Sequence, residues 1–210
     1  MRIAHRNWMS FTAALLAMAG SWFLAAPAVS APLNLTQQFP DIQVSDLDIA
    51  YDAGTGSFTA NQAAFAWFEY SADGISSTGA GDWTYSLTAS LDSGTGALTS
   101  GSLEIRDGSS ATQLSGDLTA FGFTDDPTGD SDVFEVLFNV TGGALAGDFG
   151  ALGGIIIVTD TSDFAGDFGT GFTAASTSND TFAAVVPVPA AVWLFGSGLL
   201  GLAAAARRRH

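Results

Sequence analysis

WTYSLTASL, residues 83–91, alternates apolar and polar side chains without a break. Trp83, Tyr85, Leu87, Ala89 and Leu91 fall on one side, and Thr84, Ser86, Thr88 and Ser90 on the other. A period of two marks a strand with one face on a core and one in water. The chain around it follows suit. In VFEVLFNV, 133–140, Phe134, Val136, Phe138 and Val140 share a face, which turns Glu135 outward to solvent. GIIIVTD, 154–160, is a β-branched run suited to a buried strand. AAFAWFEY, 63–70, reads as a further strand, and weaker ones are expected around 42–49, 98–105, 114–123 and 181–186. Gly, Asp, Ser and Thr fill the gaps, where glycine allows positive φ and Asp and Ser bond their own backbone. Between Pro32 and Val185 no stretch has a capped helical period. The expected fold is all-β: an antiparallel β-sandwich or jelly-roll-like domain over residues 32–185.

Two internal echoes suggest similar hairpins or a duplicated β unit. YDAGTGSFTA (51–60) resembles LDSGTGALTS (91–100), and GDFG stands at both 147–150 and 166–169.

The chain has 210 residues and a formal net charge of −15. All 21 acidic residues lie between Asp41 and Asp180, where Arg106 is the only base. Such a surface repels nucleic acid and anionic lipid. There is no cysteine, so no disulfide supports the fold and no thiol reacts. The N-terminus begins with Arg2 and Arg6, continues with an apolar stretch from Trp8 to Ala26, and ends in small residues. This is the pattern of a signal peptide over 1–28. Ala26-Pro27-Ala28 fits the cleavage rule; Val29-Ser30-Ala31 also fits, but Pro32 would follow that cut.

Elimination narrows the chemistry. The only histidines are His5 and His210, and there is no lysine. Without both ends, the domain lacks the base of a Ser-His-Asp or Cys-His site, the usual zinc ligands and a P-loop lysine. A pair of carboxylates could still hydrolyse a glycoside. Glutamates are few, at Glu69, Glu104 and Glu135, and Glu69 stands out beside Trp67, Phe68 and Tyr70. An aromatic next to a carboxylate can stack on a sugar, so Trp67 or Trp83 would serve a carbohydrate-binding or glycan-active rival to a purely structural role. Asp125, Asp126, Asp130 and Asp132, with Glu135 after them, are weak calcium candidates in TDDPTGDSDVFE. They do not match an EF-hand loop; with calcium the protein would be a calcium-dependent adhesin, and no other cofactor is expected.

VPVPAAVWLFGSGLLGLAAAARRRH, 186–210, closes the chain. Residues 190–206 carry no charge and, at about 1.5 Å per residue, would make a helix of about 25 Å. That is within the usable range for a bilayer core of about 30 Å. Arg207, Arg208 and Arg209 would stop it on the cytoplasmic side, with the acidic domain outside.

Val186, Pro187, Val188, Pro189 and Ala190, then one apolar helix and a terminal arginine cluster, resemble the PEP-CTERM sorting tail of exported bacterial proteins, in its Val-Pro-Leu-Pro-Ala variant. Val188 stands where that variant has leucine. The resemblance covers about 25 residues at the end of the chain. It implies processing by an exosortase after signal peptidase, a transient inner-membrane hold, and release to the cell surface or extracellular matrix. It also implies a setting of exopolysaccharide and biofilm. Two prolines suit a protease, because they keep the segment extended. The expectation is a structural or adhesive matrix protein rather than an enzyme.

Overall fold

The computed structural model describes residues 30–184 apart from Asp130. In chain order the strands are β1 (Asp41–Val44), β2 (Leu47–Asp52), β3 (Ser57–Gln62), β4 (Phe68–Ser71), β5 (Ser77–Gly79), β6 (Thr84–Leu91), β7 (Leu98–Arg106), β8 (Thr112–Thr124) and β9 (Val133–Gly142). A helical turn, α1 (Ala146–Phe149), precedes β10 (Leu152–Ser162) and β11 (Phe172–Ala183). Every pairing is antiparallel. The order β2-β3-β6-β7-β8-β9-β10-β11 returns to β2, so eight strands close a ring. The expected sandwich or jelly roll therefore gives way to an up-and-down barrel. Its meander is interrupted only by the excursion through β4 and β5. Closure leaves the ring no free edge.

β6 carries the alternation read from WTYSLTASL: Tyr85, Leu87, Ala89 and Leu91 are buried and Thr84, Ser86 and Thr88 exposed. The two D-x-G-T-G segments are hairpin turns of one geometry. The aspartate carboxylate accepts the N–H two residues on, at 2.8 Å for Gly54 and 3.1 Å for Gly94. Its carbonyl accepts the N–H of the last glycine, at 2.8 Å for Gly56 and 2.7 Å for Gly96. Gly56 and Gly96 have φ of 70° and 69°. Both GDFG segments also work as phenylalanine carriers. Phe149 enters the core from α1, and Phe168 from the loop before β11, where it meets Tyr51 edge-on at 5.0 Å. Phe164, Phe168 and Phe172 join Phe58, Phe121, Phe123 and Phe134 in one aromatic cluster.

β11 is the fork of the fold. Phe172–Ala175 pair with β2, while Asn179–Phe182 pair with β1. At the fork the buried Ser176 hydroxyl accepts the Leu47 N–H at 3.1 Å, which satisfies a donor where β1 and β2 part. β1, β4 and β5 thus form a three-stranded wing on the ring.

Two expectations need correction. AAFAWFEY is a strand only from Phe68; Phe65 and Trp67 are 91% and 61% exposed. Glu135 points outward from the barrel yet is buried. The segment 30–38 crosses the outside of the barrel as a strap. The Glu135 carboxylate accepts the N–H groups of Leu33 (2.6 Å), Asn34 (3.0 Å) and Leu35 (2.7 Å). Glycines let the strap lie close: a Cβ on Gly122 would come within 2.5 Å of the Ala31 carbonyl. The expected signal peptide (1–28) and the expected sorting tail (186–210) lie outside the described residues, among which no helix is long and apolar enough to cross a membrane.

Candidate functional site

β1 runs between β11 and β4, and its register sets Gln43 opposite both Asp180 and Glu69. Opposed residues of an antiparallel pair share a face, and residues two apart on a strand do too. Asp41, Gln43, Glu69 and Asp180 therefore gather on the outer face of the wing. The strap adds Gln37, whose amide donates to Asp41 Oδ2 at 2.5 Å and to Asp180 Oδ1 at 3.2 Å. Gln43 Nε2 reaches Asp41 Oδ2 at 3.5 Å, and the Ser178 hydroxyl lies 3.3 Å from Asp180 Oδ2. Asp41 is fully buried, and its Oδ1 has no hydrogen-bond partner. Burial pushes the Asp41 carboxyl above its ordinary range, opposed by the Gln37 and Gln43 donors and reinforced by the charges of Asp180 and Glu69. Burial raises Asp180 as well.

An aromatic ring stands at each end of this polar strip. Trp67 is tied through its backbone to Ser45, the residue after β1: its N–H donates to Ser45 Oγ at 2.9 Å and its carbonyl accepts the Ser45 N–H at 3.0 Å. Its indole lies on Gly79, where a Cβ would come within 2.9 Å of Cζ2. Phe39, half exposed, lies on Gly74, where a Cβ would come within 2.5 Å of Cε2 and φ is 72°. Ile75 stands beside it, 90% exposed. Two shallow hollows share Gln43 and Glu69. One, of about 170 Å³, is walled by Phe39, Asp41 and Ile75; the other, of about 230 Å³, by Trp67, Ser178 and Asn179. Together they form one groove from Trp67 to Phe39.

The structure sorts the other candidates. Trp83 packs against Phe68 at 6.4 Å and is only partly exposed, so it offers no open platform. Glu104 pairs with Arg106 at 2.6 Å, and Glu135 is committed to the strap. Glu69 is the one glutamate in the groove. In the acidic loop, the buried Asp132 carboxylate accepts the Asp126 N–H at 2.9 Å, and Asp126 accepts the N–H and hydroxyl of Thr128. Asp125 is pushed up by burial and by the neighbouring Asp132 and Asp126. Asp130 lies outside the described residues, among which no group of three or more acidic side chains is placed to hold a metal ion. Sequence reasoning missed Asp41, Gln37, Phe39 and Asp180. The first three are near neighbours in sequence, and the β1–β11 pairing, across some 140 residues, brings Asp180 to them.

No known protein family, no curated protein and no solved structure matches this chain.

Proposed function

We propose that this is an exported surface or matrix protein that adheres to polysaccharide through the groove of its β1–β4 wing. The signal peptide (1–28) would send it across the inner membrane, and the sorting tail would hold it for an exosortase acting near Pro187-Val188-Pro189. One observation carries the adhesive reading. The large exposed hydrophobic side chains of the described residues, Phe39, Phe65, Trp67 and Ile75, all lie on or beside this wing. Exposed aromatics gathered at one place on an otherwise acidic surface mark a contact site. Binding fits the groove better than hydrolysis does. It is open and shallow, and Asp41 and Asp180 are tied to one amide instead of facing each other across a substrate.

The test follows both ends of the proposal. Mass spectrometry of the surface form should find no Trp193 or Arg207 in cells with exosortase, and both in cells without it. Trp67→Ala should reach the surface in normal amount and then wash out of the matrix. A tail that persists in the normal strain overturns the sorting reading, and full retention of Trp67→Ala overturns the adhesive one.

A further inference from the structure

We propose that the groove between Trp67 and Phe39 binds a linear glycan bearing free amino groups, a polymer of unsubstituted hexosamine. This rests on the adhesive reading above and names its ligand. A sugar ring has a C–H face, which an aromatic ring can receive, and an edge of hydroxyl or amino groups, which amides and carboxylates can receive. The groove offers these in order: an indole, the Gln43–Glu69 pair with Asp41 and Asp180 beside it, then a phenyl ring. Both rings are seated on glycines, so little side-chain freedom is lost when a ligand stacks on them. Trp67 lies level with Ser45 and the Phe39 end with Asp41, four residues back along β1. At about 3.3 Å per residue that is roughly 13 Å, room for more than one sugar ring.

Charge then selects among glycans. Asp41, Glu69 and Asp180 line or border the groove, and the only base among the described residues, Arg106, is on β7 and paired with Glu104 at 2.6 Å. A uronic acid or sulfated polymer would be repelled. Asp41 contributes to the wall of the hollow, and its Oδ1 is buried without a partner. What it lacks is a donor, ideally a charged one. A metal ion is a poor fit, since among the described residues Asp41, Glu69 and Asp180 share a face but are not placed as a metal ligand set. An ammonium at the Phe39 end would satisfy the carboxylate by charge and the phenyl ring by cation–π attraction.

Titration calorimetry on the full chain, in a detergent without sugar groups, would use three probes: a glucosamine hexamer, its fully N-acetylated counterpart and a neutral glucose hexamer. The glucosamine hexamer should bind at least about tenfold more tightly than the other two. Trp67→Ala and Phe39→Ala should each weaken it by about tenfold. Asp41→Asn should erase the preference for the free amine while leaving weak stacking to all three. Near-ultraviolet circular dichroism checks that the variants keep the barrel. Absent binding, equal binding of the three hexamers, or binding that ignores all three variants overturns the proposal. If Trp67→Ala still washes out of the matrix in that case, adhesion stands and only this ligand falls. If it does not, both fall.

Discussion

Glu135 holds the Leu35 N–H at 2.7 Å, across a hundred residues of sequence. With Leu33 and Asn34 on its other oxygen, this one carboxylate satisfies three consecutive strap donors. Hydrogen bonds to a charged acceptor are among the stronger ones, and these are largely shielded from water. Glu135→Ala should cost about 2–4 kcal/mol in urea unfolding. Glu135→Gln should rescue little, because its amide nitrogen would face a strap N–H. Fast amide exchange at Leu33–Leu35 in both variants, with β9 amides still protected, would locate the loss in the strap. Unchanged exchange there would refute it.

The same strap favours one of the two cuts open to the proposed signal peptide. Ser30 donates its N–H to the Thr95 carbonyl at 2.8 Å and its hydroxyl to the Phe121 carbonyl, and the Ala31 carbonyl lies against Gly122. A cut after Ala31 would discard these contacts; a cut after Ala28 keeps them. N-terminal sequencing of the exported protein should therefore begin at Val29. A start at Pro32 would contradict the proposal and leave the strap anchored by Glu135 and by Gln37 on Asp41 and Asp180.

The strand content was legible because period-two burial is local: β6 and β9 can be read from eight residues each. Closure was not, since it depends on β11 pairing with β10, β2 and β1 at once, and no pattern within Phe172–Ala183 announces three partners. Glu135 shows the same limit. Alternation correctly put it on the outer face, but the strap that buries it comes from a hundred residues upstream. Of the groove, Glu69 and Trp67 were visible as neighbours in sequence. Asp41 and Asp180 were not, because each looks like an ordinary surface acid until register places it. In AAFAWFEY apolar composition misled: a strand was expected from Ala63, but it begins at Phe68, and Phe65 and Trp67 before it are exposed.

Phe138 depends on two glycines. It is fully buried in β9, and a Cβ would come within 2.2 Å of its ring on Gly116 of β8 and within 2.0 Å on Gly153 of β10. Gly153→Ala should cost about 1–3 kcal/mol by overpacking. Combined with Phe138→Leu, which empties part of that space, the same substitution should cost much less than it does alone. A double-mutant cycle by urea unfolding measures the coupling. Simple additivity would mean that the ring does not need the missing side chain.

Asp41 makes the barrel more stable in acid than it would otherwise be. Its carboxyl has an ordinary value of 3.8 when exposed and a higher one when folded, chiefly through burial. Between those values the folded chain binds more protons than the unfolded chain, so stability falls as pH rises through the folded value. The stabilising share is fully present below about pH 3.8 and absent above the folded value. Asp180, raised by burial too, acts with the same sign; Asp73 and Asp107, held low by hydrogen bonds, act with the opposite one. Comparing a variant with its parent at each pH cancels Asp73 and Asp107, while Asp180, coupled to Asp41 by charge and through Gln37, adds to the same trend. Asp41→Asn keeps an acceptor for Gln37 and removes the charge, so it should raise the melting temperature by a few degrees at pH 7. The gain should shrink toward zero near pH 3.5, where the parent's Asp41 is largely protonated. Melting curves from pH 3.5 to 7.5 decide the matter: a gain that does not vary with pH would show that Asp41 is not the titrating group. Adding the glucosamine hexamer at pH 7 should stabilise the parent and leave Asp41→Asn nearly unmoved, since the buried carboxylate that wants a cation is then gone.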